Sequence, residues 1–122
     1  MNVFATSKAA QNFLAKEKER GAENRRLWEE ASHDAADILS ICIGANPIRI
    51  FQWGSILHPE RFREWSDIDF ALEGLPSAET LFRLQEKCEK VTRFPVHLVE
   101  MERIEAEYAD SIRENGRLVY ER

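Results

Sequence analysis

The run Ile48-Arg49-Ile50-Phe51-Gln52-Trp53-Gly54-Ser55, followed after a polar spacer by Ser66-Asp67-Ile68-Asp69-Phe70-Ala71-Leu72, decides the reading of this chain. The β-branched and aromatic residues from Ile48 to Trp53 predict a strand, and Asp67 to Leu72 a second one. Residues two apart on a strand share a face, so Asp67 and Asp69 present paired carboxylates about 7 Å apart. Burying two like charges without a counter-charge is costly, so such a pair either faces water or holds a cation. Oxygen ligands at this spacing suit Mg²⁺, which is commonly held by one or two carboxylates together with phosphate oxygens. Gly54 ends the first strand with no side chain, letting backbone approach a phosphate, and Ser55 adds an N–H and a hydroxyl. Asp-x-Asp alone is a weak signal. A strand, Gly-Ser, a short polar loop and then Ser-Asp-x-Asp is much narrower.

Outward from this motif the chain is helical before and alternating after. Ser7 is a candidate N-cap for a first helical stretch carrying Ala9, Ala10, Phe13 and Leu14, which Gly21 interrupts. A second stretch from Ala22 repeats Trp28, Ala31, Ala35, Ile38, Leu39 and Cys42 at helical spacing and stops at Asn46-Pro47. Beyond the second strand, Gly74-Leu75-Pro76 turns the chain into a helix capped by Ser77, with Leu81, Leu84, Cys88 and Val91 as its buried stripe. Pro95 to Met101 predicts a third strand, and Ile104, Tyr108 and Ile112 mark a last helix. Asn115-Gly116 ends that helix in the manner of a left-handed C′ glycine, and Leu118-Val119-Tyr120 forms a short final strand. The expected organisation is one α+β domain over 1–122, with a helical segment over 1–46 and a core over 47–122.

The 122 residues, 43% hydrophobic and 32% charged, suit one globular domain. A net charge of -5 supplies no global basic field, which makes nucleic acid an unlikely partner and argues against an anionic membrane. No apolar run is long enough to span a bilayer, and the first residues lack a signal-peptide pattern. Cys42 and Cys88 fall on separate helices and are expected as buried thiols in a reducing, cytoplasmic setting rather than as a disulfide.

The order Gly54-Ser55, spacer, Ser66-Asp67-x-Asp69 resembles the signature of the nucleotidyltransferase superfamily that includes DNA polymerase beta, and especially its minimal branch. The resemblance runs from about Ile48 to the end of the chain. It implies a mixed three- to four-stranded sheet with helices packed on one face. It also implies that Gly54, Ser55 and Ser66 bind the triphosphate of ATP or another NTP, while Asp67 and Asp69 hold Mg²⁺ in a two-metal scheme.

Three departures accompany the resemblance. The spacer Ile56 to Ser66 is one residue longer than usual, which a loop absorbs. Ile56 stands where the family commonly has arginine; Arg61 or Arg63 either supplies that positive charge from farther along the loop or is a solvated loop charge. The family's third carboxylate lies on the third strand, and here that string is Val96-His97-Leu98-Val99. A neutral imidazole does not neutralise a divalent ion and suits Mn²⁺ or Zn²⁺ better than Mg²⁺. His97 is then an altered ligand that weakens turnover, a general base with an ordinary pKa near 6.5, or a plain strand histidine. Glu100, three residues on, falls on the opposite strand face.

Other residues carry less. Ser32-His33-Asp34 spells a catalytic triad, yet consecutive helical residues diverge by about 100° and cannot form a relay. His58 has no metal-ligand partner at recognisable spacing, and Trp53 either stacks on a base or packs in the core. So short a chain leaves little material for an acceptor site, which points to completion by a homo-oligomer or a partner. Minimal nucleotidyltransferases often pair with a small helical HEPN toxin, and some transfer AMP to it. The resemblance therefore implies an antitoxin-like transferase, or a weakened nucleotide-binding module that neutralises its partner by contact.

Overall fold

The computed structural model describes residues 7–122 and is α+β. Helix α1 spans Lys8–Ile43, and strand β1 spans Arg49–Trp53. Two short 3₁₀ turns follow at Gly54–Leu57 and Pro59–Arg61. Strand β2 is Ile68–Glu73, α2 is Ala78–Glu89, β3 is Val96–Glu100, α3 is Ala106–Asn115 and β4 is Arg117–Glu121. The four strands form one mixed sheet in the order β3-β2-β1-β4. β1 runs antiparallel to both β2 and β4, and β2 pairs in parallel with β3 through the α2 crossover.

The two expected N-terminal helices are one. Ser7 caps it as expected, its hydroxyl accepting from the Ala10 N–H at 2.9 Å. Gly21, exposed and with open space around its Cα, does not break the run. The helix ends at Ile43, and Asn46 adopts a left-handed φ of 60° ahead of Pro47. The stripe from Ala31 to Cys42 is buried, whereas Phe13 and Leu14 are exposed. On α2, Leu84 and Cys88 are buried, but Val91 lies past the helix end and is exposed. Cys42 and Cys88 are free thiols, both buried in the main core.

The expectation that the helices share one face is corrected. Strand alternation gives the sheet two apolar faces. Ile50, Ile68, Phe70, Leu72 and Leu98 pack against α1 and α2. Phe51, Ala71, Val99 and Met101 pack against Ala109 and Ile112 of α3. A sheet with both faces apolar needs cover on both. Two helices serve one side, and α3 serves the side on which Asp69 lies. No helix among the described residues is long and apolar enough to cross a membrane; α1 is long but charged along its length.

Gly21 offers a direct check. An exposed mid-helix glycine costs about 0.5–1 kcal/mol relative to alanine. Gly21→Ala is expected to raise the unfolding free energy in urea by that amount and to leave the helical signal in circular dichroism unchanged, because α1 is already continuous; a marked rise in helical signal would show that α1 is broken at Gly21 in solution.

Candidate metal centre and adjoining groove

Two registers build the site. Asp69 of β2 lies opposite Trp53 of β1 on one side and opposite His97 of β3 on the other, so all three share the α3 face. Asp67 precedes β2, which begins at Ile68 rather than at Asp67 as expected, and is the residue two before Asp69. One ligand atom from each of Asp67, Asp69 and His97 lies within 4.8 Å of the others. Oxygen and nitrogen ligands about 2.1 Å from an ion stand roughly 3–4 Å apart, so a small inward movement lets the three share one. These residues can hold a metal ion. Glu100 is not among them: it is buried, with Oε2 accepting from Arg103 at 2.8 Å and Oε1 without a partner.

Asp69 is only 5% exposed, whereas the His97 side chain is 50% exposed. Asp69 Oδ1 lies 3.3 Å from His97 Nδ1. Burial pushes the Asp69 carboxyl up to about 6, and the neighbouring Asp67 charge pushes the same way, while His97 opposes both. Burial and the Asp69 charge also raise the Tyr108 hydroxyl. Trp53 meets His97 edge-on at 5.7 Å and Tyr108 at 5.4 Å, a packing role, and its buried Nε1 has no partner among the described residues.

The Gly-Ser turn abuts this carboxylate. Gly54 has φ +83°, and a Cβ on it would run into an Asp69 carboxylate oxygen. Glycine is required here on both counts. The turn is held from behind: Ile56 is buried in the main core, and its carbonyl accepts from Trp28 Nε1 of α1 at 2.7 Å.

A groove of 460 Å³ opens beside the turn. Gly54, Ser55, His58 and Arg61 line one side, and Tyr108, Ser111 and Asn115 of α3 line the other. Gly116 borders it with extended backbone, φ -82°, rather than the left-handed cap expected from Asn115-Gly116. It is glycine because a Cβ would crowd the Ile112 and Gln52 carbonyls. A larger hollow of 590 Å³ lies against α1 and β4; neither hollow is lined by Asp67, Asp69 or His97, and of the two only the smaller includes Gly54 and Ser55.

The structure separates the loop residues expected to bind nucleotide. Arg61 reaches the groove. Arg63 instead donates to the carbonyls of Glu60 at 3.1 Å and Phe62 at 3.0 Å, and the Ser66 hydroxyl accepts from the Arg63 N–H at 2.9 Å. Arg63 and Ser66 thus close the loop on itself. His33 is exposed at 3.8 Å from Asp34, which accepts instead from the Thr92 hydroxyl, so no Ser32-His33-Asp34 relay forms. Ser111, Asn115 and Tyr108 escaped the sequence reading, because nothing local reveals that α3 covers the Asp69 face.

No family model matches the chain, and no curated protein matches it either.

Asp69 gives a pH test. Its folded pKa of about 6 lies above the ordinary 3.8, so the folded state binds this proton more tightly than the unfolded one. Its contribution to stability therefore falls as pH rises from about 4 to about 6. Metal-free Asp69→Asn is expected to melt higher than wild type at pH 7, with the gap closing toward pH 4, and to lose stabilisation by divalent metal. A variant that melts lower at pH 7 while still responding to metal would contradict this account.

Proposed function

We propose that the chain is a metal-dependent nucleotidyltransferase with the fold of the minimal branch of the polymerase beta superfamily, moving a nucleoside monophosphate, AMP by family analogy, to a hydroxyl. The observation that carries the reading is the close approach of Gly54 to Asp69, where a Cβ would strike the carboxylate: a side-chain-free turn suited to phosphate adjoins three residues that can hold a metal ion. The four-stranded mixed sheet and the Gly54-Ser55…Asp67-x-Asp69 order both accord with it.

In this reading Asp67, Asp69 and His97 hold divalent metal, Mg²⁺ by family analogy. Bound there, the ion neutralises phosphate charge and makes the α-phosphorus more electrophilic. The Gly54-Ser55 backbone and the Ser55 hydroxyl orient the triphosphate. The acceptor oxygen attacks the α-phosphorus, its proton passes to a base, and pyrophosphate departs. His97, half exposed beside Asp69, is placed either to accept that proton or to complete the metal site. The acceptor belongs to a partner, a small helical HEPN-like protein or a second copy of this chain. The imidazole in place of a third carboxylate favours one competing reading: a nucleotide-binding module that acts on its partner by contact.

Thermal shifts test binding. ATP is expected to raise Tm only with divalent metal present, and the double variant Asp67→Asn, Asp69→Asn to lose that shift while remaining folded. An equal shift in the double variant would place the nucleotide elsewhere. For transfer, α-labelled ATP is incubated with this chain and the protein encoded beside it: label on that protein supports the transferase, and metal-dependent binding without label supports the binding module.

His97 has its own test. His97→Asp is expected to shift metal preference from Mn²⁺ toward Mg²⁺ in calorimetric titration and, where the native site lacks acceptor activation, to raise transfer. A rate that falls for both His97→Asp and His97→Ala assigns His97 as the base. No change in either measurement removes His97 from the site.

A further inference from the structure

We infer that Arg61 is the side chain that grips the β- and γ-phosphates of the nucleotide, with Ser111 and Asn115 of α3 completing the anion pocket from the opposite wall. This rests on the nucleotidyltransferase reading and assigns the leaving-group half of the same site.

The position directly after Gly54-Ser55 cannot carry the required cation. Ile56 is 3% exposed and packed in the main core, where an unpaired guanidinium would be strongly unfavourable. Arg63 is engaged with two loop carbonyls. Arg61 is exposed, lines the groove alongside Gly54 and Ser55, and makes no ion pair among the described residues. Its backbone is nonetheless fixed. The Arg61 N–H donates to the His58 carbonyl at 2.9 Å, Pro59 starts the turn, and the next residue, Phe62, is fully buried edge-on to Phe94. A cation on a rigid stem loses less freedom when it binds.

The opposite wall is also unengaged. Asn115 and Ser111 are joined only by a long 3.4 Å bond from Asn115 Nδ2 to Ser111 Oγ, which leaves amide and hydroxyl donors for a ligand. No carboxylate lines this groove, although acidic residues outnumber basic ones in the chain, 22 to 17. One unpaired guanidinium, neutral donors and no anion are the chemistry of a polyphosphate site. The groove opens at Gly54, which closely approaches Asp69, so its phosphates would follow directly from an α-phosphate at the metal.

Calorimetric titration of metal-loaded protein with ATP, AMP and inorganic pyrophosphate tests this without requiring transfer. Arg61→Ala is expected to weaken ATP and pyrophosphate about 10- to 100-fold, the range of a lost charged hydrogen-bond partner, and to leave AMP unchanged. Asn115→Ala should show a smaller loss of the same pattern, Arg61→Lys a partial one, and Arg63→Ala none specific to the longer ligands. Equal losses for ATP and AMP in Arg61→Ala, or an ATP-specific loss in Arg63→Ala, would overturn the assignment while leaving nucleotide binding intact. Absence of metal-dependent ATP and pyrophosphate binding by wild type would overturn the nucleotide reading itself, and this assignment with it.

Discussion

A carboxylate nearly withdrawn from water governs this molecule. Asp69 lies on β2, with β1 and β3 hydrogen-bonded on either side, α3 on its face and the Gly54 turn against its oxygens. Nothing in that setting lets it swing out to solvent. Its nearest groups are a second carboxylate that opposes ionisation and an imidazole that supports it only partly. No lysine or arginine is among the groups that shift its carboxyl. A buried anion without a fixed counter-ion is expensive in a folded protein, and folds usually neutralise it, pair it or leave it open to a cation. Here the opening lies through Asp67 and His97, the accessible members of the trio.

The rest of the scaffold keeps that arrangement rigid. α1 covers the sheet face opposite the site, and through Trp28 it also holds the Ile56 carbonyl, so the turn carrying Gly54 and Ser55 is fixed from the far side of the sheet. Phe62 anchors the loop that returns to β2, and the Arg63–Ser66 turn closes it. By contrast, the pairs Arg49–Glu73 and Arg49–Glu121 tie β1 to its two neighbours at partly exposed positions, where ion pairs contribute little. Burial and backbone pairing, rather than surface charge, hold the site.

The strands, the Ser7 and Ser77 caps and the face shared by Asp67, Asp69 and His97 were legible in the sequence because each follows from short-range rules: a two-residue period, a hydroxyl ahead of a helix, a glycine at a strand end. Element ends, such as that near Val91, lie a residue or two from where local pattern puts them, and the larger misses depend on more than such pattern. Gly21 looked like a break because propensity weighs one residue, whereas the helix is decided over 36. Gly116 looked like a left-handed cap, but its constraint is crowding by the Ile112 carbonyl one turn back and by a carbonyl of β1 far away in sequence. Ser66 and Arg63 carry the right chemistry for a ligand, and only the folded loop shows that each bonds within it. The role of α3 in walling the groove depends on which sheet face it covers, and no local pattern encodes that.

The strand order has a kinetic consequence. β1 sits between a neighbour that follows soon after it and β4, whose Glu121 is 72 residues beyond its partner Arg49. Closing so long a loop comes before the contacts that reward it, so a topology of this kind folds slowly. The walls of the groove come together only when β4 has docked and brought α3 over the sheet. The metal ligands assemble separately: Asp67, Asp69 and His97 lie at the β2–β3 pair, joined by the α2 crossover, and do not need β4 to be docked. A metal ion there would stabilise any state that holds the β2–β3 pair, whether or not β4 has closed the sheet, so it would protect the centre of the sheet against partial opening at the β4 edge.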